Sequence, residues 1–233
     1  MRKWIRKGFK LLFYLFAASV IYLILCRWIF PPITLTQIES LYQGHGLKRS
    51  YISWEEIPYS VKLAAIASED QLFPVHSGFD WKALEKSLQT NHKNKRRPRG
   101  SAASTISQQT AKNVFLWQGS GWTKYLRKPF EAIYTLGIET FWGKQRILEV
   151  YLNVAEMGPG IYGIEAAAQT YFHKPASQLS QYEAAMIIAS LPNPKKFTVK
   201  PVSKRVQWRA PQIQKQMSLI ASHPQVKILL MGD

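Results

Sequence analysis

Three groups of side chains have the types and spacing that chemistry needs. Ser68-Glu69-Asp70 is followed by Phe73, His76, Gly78 and Asp80. Ser104-Thr105-Ile106-Ser107-Gln108-Gln109 leads on to Lys112 and Asn113. Arg127 and Lys128 precede Glu131 by four and three residues. A carboxylate at the end of an apolar helix loses part of its hydration, which raises its pKa and suits it to act as a general base. An isolated Glu-Asp pair would serve equally well as a solvated helix end. Hydroxyls and amides at a helix start, with the unpaired N–H groups there, suit a phosphate or a sugar, although they also make an ordinary polar helix face. Arg127, Lys128 and Glu131 share one helix face. Pro129 beside the two cations predicts that the helix starts or bends there, an arrangement closer to a pyrophosphate clamp than to a lace of surface ion pairs. Carboxylates alternating with phosphate-type cations point to acid–base chemistry on a sugar attached to a phosphate.

Other chemistries find less support. No G-x-x-x-x-G-K-[ST] loop for a nucleoside triphosphate occurs. Ser104 has no histidine near it in sequence to activate it as a nucleophile. His76 could be a third polar partner of the two carboxylates, but no metal-ligand spacing surrounds it. Gly78 and Asp80 read as turn residues. Lys144 and Arg146 either add to the cation cluster or form a solvated face, and the solvated face is the preferred reading.

The elements that position these groups read mainly as helices. Ser60 after Pro58 is the expected N-cap of a helix through Glu69 that Pro74 ends. Trp81 to about Leu88 reads as a short helix, and Asn91 to Arg99 as a mobile, strongly basic loop. Thr105 to Leu116 resumes helix. Apolar residues recur at three- and four-residue steps over 124–154, interrupted at Gly143. Gly158-Pro159-Gly160 is a turn, and Ile161 to Phe172 an Ala-rich helix. Ser180-Gln181-Tyr182-Glu183 is a capping-box pattern opening a helix to Leu191, where Pro192-Asn193-Pro194 stops it. Alternating β patterns are scarce and no repeat is present.

The 233-residue chain has 46% apolar residues, enough for one sizeable core. Its net charge of +17 points to an anionic partner: a nucleic acid, a membrane surface or a phosphate-bearing lipid. The single cysteine, Cys26, lies in an N-terminal apolar run, so the rest of the chain has neither a disulfide nor a cysteine-based metal site. Phe9 to Phe30 reads as a transmembrane helix, with no charge from Leu11 to Cys26. The basic flank Arg2, Lys3, Arg6, Lys7, Lys10 should stay cytoplasmic. No small-x-small cleavage site follows the run, which favours an uncleaved anchor over a signal peptide. The anchor also disfavours a nucleic-acid partner.

In this order and spacing the motifs resemble those of the peptidoglycan glycosyltransferases, which polymerise lipid II. The match runs from Glu69-Asp70-x-x-Phe73-x-x-His76-x-Gly78-x-Asp80 through Ser104-Thr105-Ile106-Ser107-Gln108-Gln109-x-x-Lys112-Asn113. It continues with Arg127-Lys128-x-x-Glu131 and Lys144-x-x-Ile147-Leu148-Glu149-x-Tyr151-Leu152-Asn153. It covers about Lys48 to Lys200. Neither Ser-x-x-Lys nor Lys-Thr-Gly occurs, so the chain looks like a monofunctional member without a transpeptidase domain. One departure is visible: the family usually has a glycine one or two residues before the Ser-Thr pair, where this chain reads Gly100-Ser101-Ala102-Ala103-Ser104.

The resemblance implies a mainly α, lysozyme-like fold with a small membrane-proximal lobe. The expected organisation is a cytoplasmic tail (1–8), a transmembrane helix (9–30), a linker or cap (31–57), a glycosyltransferase domain (58–200) and a C-terminal extension of it (201–233). The N-terminus would be cytoplasmic and the catalytic domain periplasmic, on the inner membrane. Glu69 corresponds to the family's general base and Glu131 to its second catalytic carboxylate, near the donor's pyrophosphate. Lys112, Arg127 and Lys128 match positions that bind donor phosphates. Asp70, Phe73, His76, Ser104, Thr105, Gln108, Gln109 and Asn113 are further expected substrate-site residues. No cofactor is required, although a divalent cation, Mg or Mn, can assist. The implied partners are lipid II, the growing glycan chain, the membrane, and other proteins of cell-wall synthesis and division. A lysozyme-like lytic transglycosylase or hydrolase is the alternative activity. A non-enzymatic scaffold is disfavoured because both carboxylates are retained.

Overall fold

The computed structural model describes residues 2–85, 104–119 and 121–232. The predicted basic loop Asn91 to Arg99, the departure at Gly100 to Ala103 and the end of the predicted 81–88 helix lie outside them; 81–85 is helical. Along the chain run α1 (Arg2–Leu25), α2 (Leu35–Tyr42), β1 (Lys48–Arg49), α3 (Tyr59–Glu69), α4 (Ile106–Phe115), α5 (Thr123–Phe141) and α6 (Lys144–Val154). Then follow β2 (Glu156–Gly158), β3 (Ile161–Tyr162), α7 (Ile164–Phe172), a 3₁₀ turn (Ala176–Gln178), α8 (Gln181–Ser190), α9 (Lys204–Ile220) and α10 (Pro224–Met231). The fold is mainly helical, as expected.

The core forms around α3, whose residues Val61 to Ala67 are all buried. Small residues at Ala64, Ala65 and Ala67 let α8 and α9 pack against it. A second layer has α4 against α5 and α6. The segment 31–57, expected as a linker or cap, carries α2 and β1. Thr34 and Gln37 form a capping box that opens α2. β1 pairs in parallel with β3, and β2 pairs antiparallel with β3, giving the order β1-β3-β2. Asn153 fastens this segment to α6: its Oδ1 accepts from Ile52 N, and its Nδ2 donates to Ile52 O and Glu149 O. Every polar atom of a fully buried side chain is thereby paired.

Several local expectations need correction. α3 begins at Tyr59 with Pro58 as N-cap, not Ser60. It ends at Glu69 with Asp70 as C-cap, well before Pro74, because Asp70 leaves helical geometry to reach α4. Of the two expectations for Pro129, a helix start is not what is found: it lies inside α5. Ile161 and Tyr162 belong to β3, so α7 starts only at Ile164. The expected capping box at Ser180/Glu183 is formed, and a second one, Thr105/Gln108, opens α4. Lys144 and Arg146 are not a solvated face. Lys144 pairs with Glu139 at 2.7 Å, and Arg146 pairs with Glu149 at 2.7 Å.

Arg6–Leu25 within α1 is long and apolar enough to cross a membrane. The helix stops at Leu25, short of the expected Phe30, because its end packs on the domain. Leu23 and Cys26 are buried. Trp142 Nε1 donates to Leu23 O, and the Arg146 guanidinium donates twice to Cys26 O. These donors satisfy carbonyls that a helix end leaves unpaired, with a cation placed where the helix dipole favours one.

Gly78 sets the approach of the chain to α4. Its φ is +90°, and a Cβ there would lie 2.8 Å from Thr135 Cγ2. Its carbonyl accepts from Thr105 Oγ1, and its N–H donates to His76 Nδ1. Gly78→Ala should therefore cost roughly 1–3 kcal/mol and lower the melting temperature of the detergent-solubilised protein. Unfolding at the wild-type temperature would show that this turn is not under the constraint described.

Candidate active site

Glu69 and Asp70 are neighbours in sequence that point to different tasks. Asp70 is buried and turned into the junction between α3 and α4. Its Oδ2 accepts from Ile106 N, the first helical N–H of α4, at 3.0 Å, and from His76 Nε2 at 2.9 Å. Because His76 Nδ1 accepts from Gly78 N, the network assigns the imidazole proton to Nε2. Phe73 is fully buried beside His76, and Lys144 Nζ lies 4.6 Å from its ring centre. Thr105 donates to Gly78 O and caps α4, with Gln108 completing the box. The N-terminal N–H groups of α4, expected to be free for phosphate, are therefore in part already used by Asp70 and Thr105. Asp70, Phe73, His76 and Thr105 hold the two helices together, while Glu69 is left to face a cleft.

The cleft has a volume of about 530 Å³, and its walls include Ser68, Glu69, Ser104, Gln108, Gln109, Lys112, Arg127, Lys128 and Glu131. Glu69 Oε2 accepts from Gln109 Nε2 at 3.1 Å, and Tyr151 OH donates to Gln109 Oε1 at 3.2 Å. The tyrosine therefore fixes which end of the amide meets Glu69. Ser68 Oγ donates to Glu69 Oε1 at 3.3 Å. Burial raises the Glu69 pKa above the usual carboxylate range; the two hydrogen bonds and the charge of Arg209 oppose the shift, and the adjacent Asp70 adds to it.

The cations lie along α4 and α5. Burial pulls the Lys112 ammonium down to a pKa of about 8, helped by the nearby Arg127 charge and opposed by Glu131. Glu131 is buried and central: its Oε1 accepts from Lys128 Nζ at 2.5 Å, and its Oε2 accepts from Arg127 Nε at 3.3 Å. Arg127 is itself buried and also donates to the Trp117 and Gln118 carbonyls. Its donors are largely committed, whereas the half-exposed Lys128 and the Lys112 ammonium can turn to a ligand. Asn113 is buried and faces an adjoining cleft of about 280 Å³, which shares Gln109, Lys112, Leu191 and Pro192 with the first. Among the described residues no group of three or more His, Cys, Asp or Glu could hold a metal ion.

Residues 35–218 match the transglycosylase family. The chain is 47% identical over 221 residues to the biosynthetic peptidoglycan transglycosylase of Pasteurella multocida, covering 92% of this chain and 86% of that protein. It is 53% identical over 174 residues to the protein of the same name from Escherichia coli, covering 75% and 70% respectively, and equally similar to that of Shigella boydii. The chain belongs to the transglycosylase family. This transglycosylase is a monofunctional enzyme with the lysozyme-like fold of that family.

Three residues in or near the clefts of the transglycosylase were not singled out from the sequence as site residues. Tyr151 was noted only within a motif. Arg205 lines the main cleft, and the charge of Arg209 reaches Glu69. A usable signal existed: from Ala184 to Gly232 there is no Asp or Glu, so neither arginine can find a carboxylate partner along its own stretch of chain.

Glu131 and Lys128 should act as one unit. Glu131→Gln and Lys128→Ala should each slow glycosyl transfer, and the double variant should lose less than the product of the two, with a coupling of about 0.5–3 kcal/mol in activation free energy. Rates for the four proteins under one set of conditions measure it. Losses that multiply independently would show that the two side chains do not share a site.

Proposed function

We infer that this protein, a peptidoglycan glycosyltransferase by family, polymerises lipid II by transferring the growing glycan chain from undecaprenyl pyrophosphate to the 4-hydroxyl of the next disaccharide. The observation that carries the reading is the meeting of Glu69 with the Lys112–Lys128–Glu131 cluster in one cleft. Glu69, with its raised pKa, takes the proton from the acceptor hydroxyl as the new bond forms at the anomeric carbon. The leaving group is a diphosphate, a good leaving group once its charge is met. Lys112 and Lys128 meet it, and Arg127 and Glu131 fix where they stand. Configuration at the anomeric carbon inverts, because acceptor and leaving group occupy opposite faces. No cofactor is needed in this scheme, and a magnesium or manganese ion can add to the neutralisation by binding the diphosphate oxygens.

A lytic transglycosylase or hydrolase would use the same polymer and a single carboxylate. It would have no diphosphate to hold, and a partly desolvated lysine beside a buried arginine would then be a cost without a purpose. The apolar α1 with its basic flank supports anchorage in the cytoplasmic membrane, N-terminus inside and domain on the periplasmic side. Shared membrane residence raises the effective concentration of a lipid-linked substrate. Other proteins of cell-wall synthesis and division are proposed partners on the same surface.

The direct test is labelled lipid II with product sizing. Polymer supports the reading, and shortened glycan from added peptidoglycan supports the lytic alternative. The pH profile tests the roles. Glu69 must be deprotonated, so kcat/KM should fall on the acid side at a pH above the ordinary Glu value of about 4.3. Lys112 must be protonated, so kcat/KM should fall as pH rises through about 8. Lys112→Arg, whose pKa exceeds about 12, should retain activity and move the basic limb out of the measurable range. A basic limb unchanged in that variant would remove Lys112 from the scheme.

A further inference from the structure

Tyr151 carries a hydroxyl where the packing alone asks only for a ring. It is 1% exposed and sits on α6 among Ile147, Leu148 and Leu152, all fully buried. Burying a hydroxyl costs free energy unless it finds a partner. Among the described residues this one bonds to a single group, donating to Gln109 Oε1 at 3.2 Å. Gln109 Nε2 in turn donates to Glu69 Oε2 at 3.1 Å, with the Ser104 carbonyl at 3.5 Å. A chain of three side chains thus runs from the core of α6 through α4 to the end of α3. Tyr151 does not line the main cleft, so its influence on Glu69 passes through Gln109. A glutamine amide has two orientations, half a turn apart, that fill the same space. The observed one offers Glu69 an N–H, which favours the carboxylate. The reverse would aim the amide oxygen at Glu69, which favours the protonated acid, the only form with a proton to give. It would also leave the tyrosine proton buried without an acceptor. Burial, then the charges of Glu69 and Asp70, holds the Tyr151 pKa well above the ordinary range, so the hydroxyl keeps its proton.

We propose that Tyr151 is a positioning residue for glycosyl transfer: it locks the Gln109 amide with its N–H toward Glu69 and so keeps the base in the form that can take a proton. The proposal rests on the reading of Glu69 as the base. Burial pushes Glu69 toward the protonated acid, and the Gln109 hydrogen bond is the largest influence opposing it. Several charged groups face Glu69 as well. Asp70 stands next to it on the chain, Lys112 on α4, Arg205 and Arg209 on α9, and Arg127, Lys128 and Glu131 across the cleft on α5. Among the described residues no charge on α8 or α10, the other helices packed against α3, bears on it. Replacing a neutral tyrosine or glutamine by an apolar residue leaves all these charges in place. What changes is the amide. Without the hydroxyl it can turn over whenever Glu69 gains a proton, and the protonated acid then acquires a hydrogen bond that the native site denies it. The pKa of Glu69 rises as a result.

The test is the pH profile of polymerisation of labelled lipid II by the full-length protein in detergent. In Tyr151→Phe the acid limb of kcat/KM should move to higher pH by roughly one unit. Below the limb the rate then falls roughly tenfold, whereas the plateau and the basic limb stay close to wild type. A merely structural role would lower the plateau and leave the acid limb where it was, and that result overturns the proposal. Gln109→Leu breaks the same chain at its middle and should move the limb in the same direction at least as far. An unmoved limb there also overturns the proposal, whether or not Tyr151→Phe folds. The double variant should titrate with Gln109→Leu, because the tyrosine has nothing left to act through. A further shift on adding Tyr151→Phe to Gln109→Leu would show a direct effect on Glu69 and contradict the relay. Failure of the underlying reading looks different: a Glu69→Gln protein that still polymerises lipid II removes the base itself, whatever the two other variants do.

Discussion

One carboxylate oxygen organises the site. Asp70 Oδ2 receives the first N–H of α4 and the imidazole N–H of His76, so the end of α3 and the start of α4 are tied at a single point. A hydrogen bond to a charged acceptor is about twice as strong as a neutral one. A carboxylate at a helix N-terminus also benefits from the dipole. The tie sets the position of Glu69, one residue earlier, against Gln109, on the first turn of α4. Everything that follows on α4, including Lys112, inherits its position from that junction. Gly78, Thr105 and Phe73 serve the same tie by closing the loop around it.

The remainder of the site is an arrangement of charge. Glu131 holds two cations and steadies a third, but it carries only one negative charge for Lys112, Arg127 and Lys128. Glu69 contributes a second on the other side. With Arg205 the cleft is net positive, a state that costs free energy in the empty enzyme and is relieved by a polyanionic ligand. The raised pKa of Glu69 and the lowered pKa of Lys112 both begin with lost hydration. The desolvation that makes one a better base makes the other a cation in need of an anion, and both needs are met by a sugar diphosphate.

Much of this was legible in the sequence. The helix start at Ser180 follows from a capping box whose partners are three residues apart, and that local rule carries through to the structure. The misjudged ends have tertiary causes. α3 stops at Glu69 because Asp70 is recruited by α4, a contact spanning 36 residues that no local pattern encodes. Lys144 and Arg146 looked solvated because their partners, Glu139 and the Cys26 carbonyl, are brought to them by helix packing. The roles of Glu69, Lys112 and Glu131 came from motif order and are consistent with their positions in the cleft. Asp70, His76 and Thr105 came from the same motifs, yet their polar atoms are engaged in holding the helices. Spacing cannot separate residues that touch a ligand from residues that hold those that do. Arg205 and Arg209 were overlooked because two cations one turn apart on a helix are unremarkable until packing brings one to the cleft wall and the other near Glu69.

The central claim is that Glu69 is the base and that the cation cluster binds donor independently of it. The most direct measurement is polymer formation by Glu69→Gln from labelled lipid II, alongside its affinity for a lipid II blocked at the 4-hydroxyl. The amide keeps the shape and cannot take the proton. The account predicts no detectable polymer, donor affinity within a few-fold of wild type, and an unchanged melting temperature. A folded Glu69→Gln protein that polymerises lipid II at a near-normal rate would contradict it.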